Sequence, residues 1–329
     1  MIWLTWRQHR QQALAGGIGL GLIAAFFLLT HPGIAHTFQS SGAAQCLAIP
    51  GRDCSYATDV FNGRYAGLQF LVPLFLVVPL FVGLFWGAPL VAREIEQGTH
   101  RLVWTQSVTR SRWIGTKLTL IGAASIAGAA AFAALVTWWS AMFVRAGDTR
   151  LLPGVFDIRG IVPIAYVLFA LALGVAAGTL IRRTLPAMAA TLGGFVAVRA
   201  IVDLVARPHY LPAKVIGASM LGVGPRSGLG DWVLRSVTVD RAGAIVGPGH
   251  ELNINYMAPR CPGLIPPPGT LPSQGNLTAC VHKLGLHIVN TYQPGSRFWA
   301  FQGIESAIFV ALAAALVGIT MWTVKRRIA

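Results

Sequence analysis

The sequence predicts an all-α integral membrane protein with six transmembrane helices, and three observations lead there. Of its 329 residues only 11% are charged while 54% are apolar, against about a quarter charged in a soluble globular chain. Six apolar runs reach the roughly 20 residues that a helix needs to cross the hydrocarbon core. The basic residues sit in small groups at the ends of those runs rather than in one patch. The formal charge of +15 therefore speaks for membrane topology and against a nucleic-acid partner.

The runs cover residues 12–30, 67–92, 115–143, 161–181, 185–206 and 298–324. The fourth and fifth are separated only by "RRT" at 182–184, which demands a tight hairpin. Placing the N-terminus inside puts "WRQHR", the 93–117 link, "RRT" and the tail "VKRRIA" on one side. These short inner segments concentrate Lys and Arg, so both termini of a multi-pass protein are expected in the cytoplasm. The four cysteines, Cys46, Cys54, Cys261 and Cys280, then all fall outside, where disulfides persist. Tryptophans cluster near the run ends, as an interfacial belt does. The first run follows a basic stretch and is expected to be a retained signal anchor rather than a cleaved signal peptide.

Small residues recur at spacing four at Gly17 and Gly21, Ser125 and Ala129, and Gly174 and Gly178. In lipid such positions let helices approach closely; packing within one bundle is the first reading and a dimer face the second. Pro73, Pro79 and Pro89 predict a kinked second helix, tolerable where neighbours satisfy the carbonyls that proline leaves unbonded. Extracellular loops are expected at 31–64, 144–160 and 207–297. The last holds an apolar stretch, "YLPAKVIGASMLGVG", suited to dip into the outer leaflet, and then the Pro-rich "CPGLIPPPGTLPSQGNLTAC". Four cysteines allow three connectivities; local pairing, Cys46 with Cys54 and Cys261 with Cys280, is the expectation.

Enzymatic motifs are missing. There is no G-x-x-x-x-G-K-[ST] to cradle a nucleotide phosphate and no H-E-x-x-H, and Cys and His lack zinc spacing. No catalytic residue and no metal site is assigned, and the chain reads as no enzyme. Inside the runs three ionisable residues stand out: Arg199, Asp203 and Glu305. Arg199 and Asp203 are four apart on one helix face and can neutralise each other. Glu305 lies roughly two turns, about 10 Å, into the sixth helix. Intramembrane ions mark substrate paths by default, and a structural ion pair, including Glu305 with Arg199, is the competing reading.

The inner link "AREIEQGTHRLVWTQSVTRSRWIGTKL" holds two of the chain's few acids, Glu94 and Glu96. Acids contribute little to topology and are repelled by anionic lipid, so another partner is expected for them. Gly98 suits the end of the second helix, Thr99 the cap of a short helix "HRLVWTQS" that carries Arg101 and Leu102, and Thr109 the cap of the third helix.

In this pattern the link resembles the segment after the second helix of ABC-2 type transporter permeases, where E-x-E-x-G-T leads to R-x-x-W-x-x-x-K. The matching residues are Glu94, Glu96, Gly98, Thr99, Arg110, Trp113 and Lys117. "MIWLTWRQHR", with Trp3, Trp6 and Arg7, is similar to the family's connecting elbow helix, here 1–11. "TYQPGSRFWAFQGIE" before and into the sixth helix is similar to a block of actinobacterial members. The resemblance implies a type V exporter-like bundle over 12–206 with a coupling link at 93–117, an enlarged disulfide-bearing loop at 207–297, and a final helix and basic tail at 298–329.

The resemblance further implies that the link docks, with Glu94, Glu96, Gly98, Thr99, Arg101 and Leu102, on a separate ABC ATPase. Two ATPase copies would hold the ATP and magnesium, and this chain would need no cofactor. A second permease copy, identical or a close paralogue, would complete the complex. Family likeness draws the path from helices two and five; here that offers Phe75, Phe81, Phe85 and Phe195, with Arg199, Asp203 and Glu305, suited to a hydrophobic or amphipathic cargo such as a drug, lipid or peptide. The alternatives are an ATP-independent secondary transporter, which should show internal repeats, or a membrane-anchored sensor or scaffold whose outer region binds a ligand.

Overall fold

The computed structural model describes residues 2–49, 52, 54–69, 72–98, 109–147, 149–220, 230–249, 252–265 and 272–326. The chain divides into a helical unit, Met1–Asp148 with Leu152–Arg207 and Trp299–Ala329, and a smaller unit, Thr149–Leu151 with Pro208–Phe298. Among the described residues six helices are long and apolar enough to cross a membrane: Arg10–Ser40, Leu74–Glu96, Arg110–Trp139, Val162–Ile181, Thr184–His209 and Gly295–Arg326. We call them spans one to six. They match the six predicted runs.

Span one belongs to a single helix, Ile2–Ser40. The separate elbow expected over 1–11 is therefore not set off by a break at its end. Arg, Gln, Leu and Ala at 10–15 are good helix formers, and no glycine or proline interrupts them before Gly16. The 31–64 segment also differs from the expected loop. The first helix continues to Ser40, a short helix follows at Ala43–Leu47, and another runs over Ser55–Gln69. The Cys46–Cys54 disulfide joins the last two. Phe27, Ile34, Phe38, Phe61, Phe132, Val136, Trp139 and Phe143 form the core here. Trp139 stacks on Phe27, centroids 4.8 Å apart, and its Nε1 donates to Thr30 Oγ1 at 2.8 Å, so the indole N–H is not left bare in apolar surroundings.

Span two bends as its prolines predict. A 3-10 turn at Val72–Val77 and a helical turn at Val78–Val82 lead to a π-helical turn at Gly83–Gly87 and an α-helix at Ala88–Glu96. Pro89 has no N–H to give the Phe85 carbonyl, and Gln12 Nε2 from span one donates to that carbonyl at 3.2 Å. The π turn also brings backbone against span four. A Cβ placed on Gly174 would sit 2.4 Å from the Gly83 carbonyl oxygen, and one on Gly178 would sit 2.4 Å from that of Ala88. These glycines are the close helix contact their spacing suggested. Gly17 and Gly21 have nothing within 4 Å of such an added carbon.

The smaller unit corrects the all-α reading. It contains a four-stranded antiparallel sheet of order β1-β4-β2-β3: β1 Lys214–Ser219, β2 Trp232–Val239, β3 Ile245–Pro248 and β4 His287–Gln293. "WVLRSVTV" and "HIVNTYQ" are rich in the β-branched and aromatic residues that favour strands. The stretch expected to dip into the leaflet instead supplies β1, whose Lys214 pairs with Tyr292 and Ser219 with His287 across to β4. A helix at Gln274–Leu284 is capped by Ser273, and the Cys261–Cys280 disulfide ties it to a core of Val246, Met257, Ile265, Val281 and Leu286. Both disulfides are the local pairings expected.

Candidate functional site

Two groups of polar residues lie at opposite ends of span four. At its end, near Ile181, span two stops as its sequence suggests: the helix closes at Glu96 and Gly98 takes a left-handed φ of 70°, which costs glycine least. Thr109 caps span three, its side chain accepting from the Arg112 N–H at 3.4 Å.

The acids of this region find partners within the chain. Glu94 forms an ion pair with Lys117 of span three, which is buried with its ammonium 4.9 Å from the centre of the Trp113 ring. Glu96 Oε2 accepts from the Thr184 N–H at 3.2 Å and from Thr184 Oγ1 at 2.7 Å. It thereby satisfies a donor at the start of span five, where an acid also faces the positive end of the helix dipole. The stretch that would carry the short coupling helix, with Thr99, Arg101 and Leu102, lies outside the described residues. Arg7 is exposed on the first helix; Trp3 and Trp6 belong to that helix, with side chains outside the described ones.

The second group is built around Arg207. The π-helical turn Val202–Ala206 extends span five and sets Asp203 between two arginines: Arg199 Nη2 lies 3.1 Å from Asp203 Oδ2, and Arg207 Nη2 pairs with Oδ1. Glu305 of span six receives Arg207 through Nε at 2.9 Å and Nη2 at 2.6 Å. Asp157, just ahead of span four, receives Arg207 Nη2 at 2.5 Å and Arg199 Nη2 at 2.9 Å, with the Gly154 N–H at 2.8 Å. Tyr166 of span four meets Asp157 through its hydroxyl at 2.9 Å and also bonds Glu305. The Arg199 guanidinium lies over the Tyr166 ring at 4.3 Å and that of Arg207 over Phe156 at 4.4 Å. Arg207 and Glu305 are fully buried. One turn before Glu305, Gln302 Oε1 accepts from the Ile161 and Val162 N–H groups, both at 2.9 Å, and its Nε2 donates to the Phe156 carbonyl at 3.1 Å. A side chain of span six thus caps the start of span four.

The structure brings Arg199, Asp203 and Glu305 together, as their depth in the sequence suggested, but Glu305 is held by Arg207 and Tyr166. Asp157, Tyr166 and Arg207 were missed. Asp157 falls in an assigned loop, Arg207 one residue beyond a predicted run, and Tyr166 counts as apolar in a hydropathy reading. A basic residue four after Asp203, itself four after Arg199, was the available signal. The phenylalanines divide. Phe75 packs on Phe27 and Phe132. Phe195 is buried against Phe169. Phe81 and Phe85 are half exposed and stack on each other at 5.6 Å.

Three carboxylate oxygens, from Asp157, Asp203 and Glu305, lie within 4.8 Å of one another, a spacing compatible with a cation. Arg207 Nη2 already contacts all three acids, so a guanidinium stands where an ion would.

A family model described as ABC-2 membrane transporter related matches residues 17–207, more than half of the chain's 329 residues. The chain belongs to this family. The six apolar helices and the ABC-2 related domain fit a multi-pass transporter permease, in a family whose members are typically non-enzymatic membrane components, and membership implies an ABC ATPase as partner. The match ends at Arg207, so it takes in spans two to four and span five up to Arg207, and leaves out the four strands and span six. No curated relative and no solved structure matches the chain.

Proposed function

We propose that this chain forms the translocation path of an ATP-driven exporter in a bacterial plasma membrane, with both termini and the 93–117 link in the cytoplasm. A separate ATPase, present in two copies and holding ATP and magnesium, grips the link, and a second permease copy completes the path. The observation that supports this most directly is the wiring of the link's start. Glu94 is tied to span three through Lys117 and Glu96 to span five through Thr184, while glycine contacts lock span two to span four. A push delivered at the link reaches all four spans without slack. The half-exposed pair Phe81 and Phe85 on span two suits a hydrophobic or amphipathic cargo, since aromatic faces bind apolar surface without a desolvation penalty.

The test is reconstitution in lipid nanodiscs with a candidate ABC ATPase. Leu102→Asp should abolish co-purification of the ATPase while the permease keeps its thermal stability. Retention of a fully stimulated ATPase by that variant would remove the link from the docking site. Cysteine labelling at the two termini and at residue 101, from either side of sealed vesicles, tests the orientation separately.

A further inference from the structure

The smaller unit brings two histidines to one cleft. Its helix Gln274–Leu284 ends in the reversal of a Schellman motif: the Gly285 N–H reaches the His282 carbonyl at 3.2 Å and the Leu286 N–H the Val281 carbonyl at 3.0 Å. Gly285 takes a left-handed φ of 62° there, which costs glycine least, and Val281 and Leu286 are buried beneath the turn. The chain thus leaves the helix and enters β4 within a few residues. His282, in the last helical turn, and His287, the first residue of β4, line the same cleft, with Gly217 and Ala218 of β1 as its far wall.

The His287 ring is held in a defined state. Its Nδ1 lies 3.0 Å from the Gly285 carbonyl. A carbonyl only accepts, so Nδ1 carries the hydrogen and, in the neutral ring, Nε2 keeps its lone pair. A backbone carbonyl on the other ring nitrogen is the arrangement that orients metal-ligating histidines. Gly217 leaves room beside the ring: a Cβ there would stand 3.8 Å from His287 Cδ2. His282 is exposed and His287 half-buried, so water reaches both. The cleft measures about 350 Å³, room for an ion with several waters at about 30 Å³ each.

We infer that His282 and His287 bind a divalent transition-metal ion of the zinc and copper class, with water in the remaining positions. Imidazole nitrogens suit these ions. None of the cleft's lining residues is a carboxylate, which disfavours calcium and magnesium, ions that ask for oxygen. The carbonyl end of a helix also favours a cation. The pair is spaced H-x-x-x-x-H, within the range of histidine pairs in zinc sites. The cysteine half of such a pattern is missing, since Cys261 and Cys280 are tied to each other. Among the described residues no third His, Cys, Asp or Glu joins the two. The ion is therefore exchangeable, and it pins the helix end to β4.

The test uses the intact chain in nanodiscs, stripped with a chelator and then titrated with zinc. The melting temperature of the wild type should rise with zinc and fall back when chelator is restored. His282→Gln changes an exposed side chain, so it should keep the metal-free melting temperature and lose the zinc shift. His36→Gln, exposed on span one, should keep that shift. Copper(II) gives a readout that does not depend on stability. Its electron spin resonance in the wild type should show splitting from two imidazole nitrogens, and in His282→Gln or His287→Gln from one. A wild type without a zinc shift, a shift that survives in His282→Gln, or a copper spectrum unchanged in the double variant would each overturn the inference.

Discussion

Glu96, the last residue of the helix that ends span two, caps span five: its carboxylate takes both the Thr184 N–H, at 3.2 Å, and the Thr184 hydroxyl, at 2.7 Å. A cap of this kind satisfies a helix-start donor. Glu96→Ala should therefore lower thermal or denaturant stability, with Thr184→Ala lowering it by about the same amount and the double variant little more. Additive losses would show that the two side chains act apart. In the reconstituted complex Glu96→Ala should also lower the transport obtained per ATP hydrolysed, since the link would no longer pull on span five.

Span two and span four meet backbone to backbone, and a methyl group has no room there. Gly174→Ala and Gly178→Ala each place a carbon 2.4 Å from a carbonyl oxygen and should destabilise by about 1–3 kcal/mol or more. Gly17→Ala and Gly21→Ala, with nothing within 4 Å, should leave the isolated chain unchanged or slightly more stable, as alanine is the better helix former. Equal effects at the two pairs, by thermal shift in detergent, would contradict the contact.

Arg207→Met removes one side of a buried ionic group and should cost roughly 3–5 kcal/mol, because it takes the two-point guanidinium from Glu305 and one of two guanidiniums from Asp157. Arg207→Lys should recover only part of this, as an ammonium cannot offer two fixed nitrogens to Glu305. Gln302→Leu should cost about 1–3 kcal/mol by leaving the buried Val162 N–H without its acceptor. Melting curves of the purified chain check all three.

The smaller unit should be acid-sensitive through Asp240. The Tyr256 hydroxyl donates to its carboxylate at 2.6 Å and the Ala244 and Ala242 N–H groups at 2.9 Å, which together hold the Asp240 carboxyl below its usual range. A lowered folded-state value means that the ionised form is favoured by folding. The stabilisation is present above the unfolded value of about 3.9 and is lost as pH falls below it. Asp240→Asn should flatten that acid limb, read by the fluorescence of the buried Trp232, and leave stability near neutral pH lower than in the wild type.

Hydropathy and periodicity exposed the part of the fold that water and lipid dictate: the six spans, the bent second helix and the local disulfides. They could not expose what depends on long-range pairing. Strand β4 pairs with β1 and β2 across some fifty to eighty residues, in a region whose Pro and Gly content reads as a loop. Of the buried ionic group, half was legible, since Arg199, Asp203 and Glu305 lie inside apolar runs, but Asp157 and Arg207 lie just beyond run ends, where a charged residue looks solvated. The inference that Glu94 and Glu96 need a partner was sound as electrostatics. The structure supplies one for each from within the chain, Lys117 and Thr184, which no reading of the link alone could weigh.

The bond from Gln12 to the Phe85 carbonyl bears on how the chain is made. A ribosome releases span one first, so the amide is already in the bilayer when the proline-broken helix arrives. The late-coming segment meets a ready donor for the oxygen its own proline abandons. Deleting the leading residues up to and including Gln12 would strip that escort from the nascent chain, and the fault would surface during biogenesis, as poor yield of inserted protein, before any assay of the finished permease.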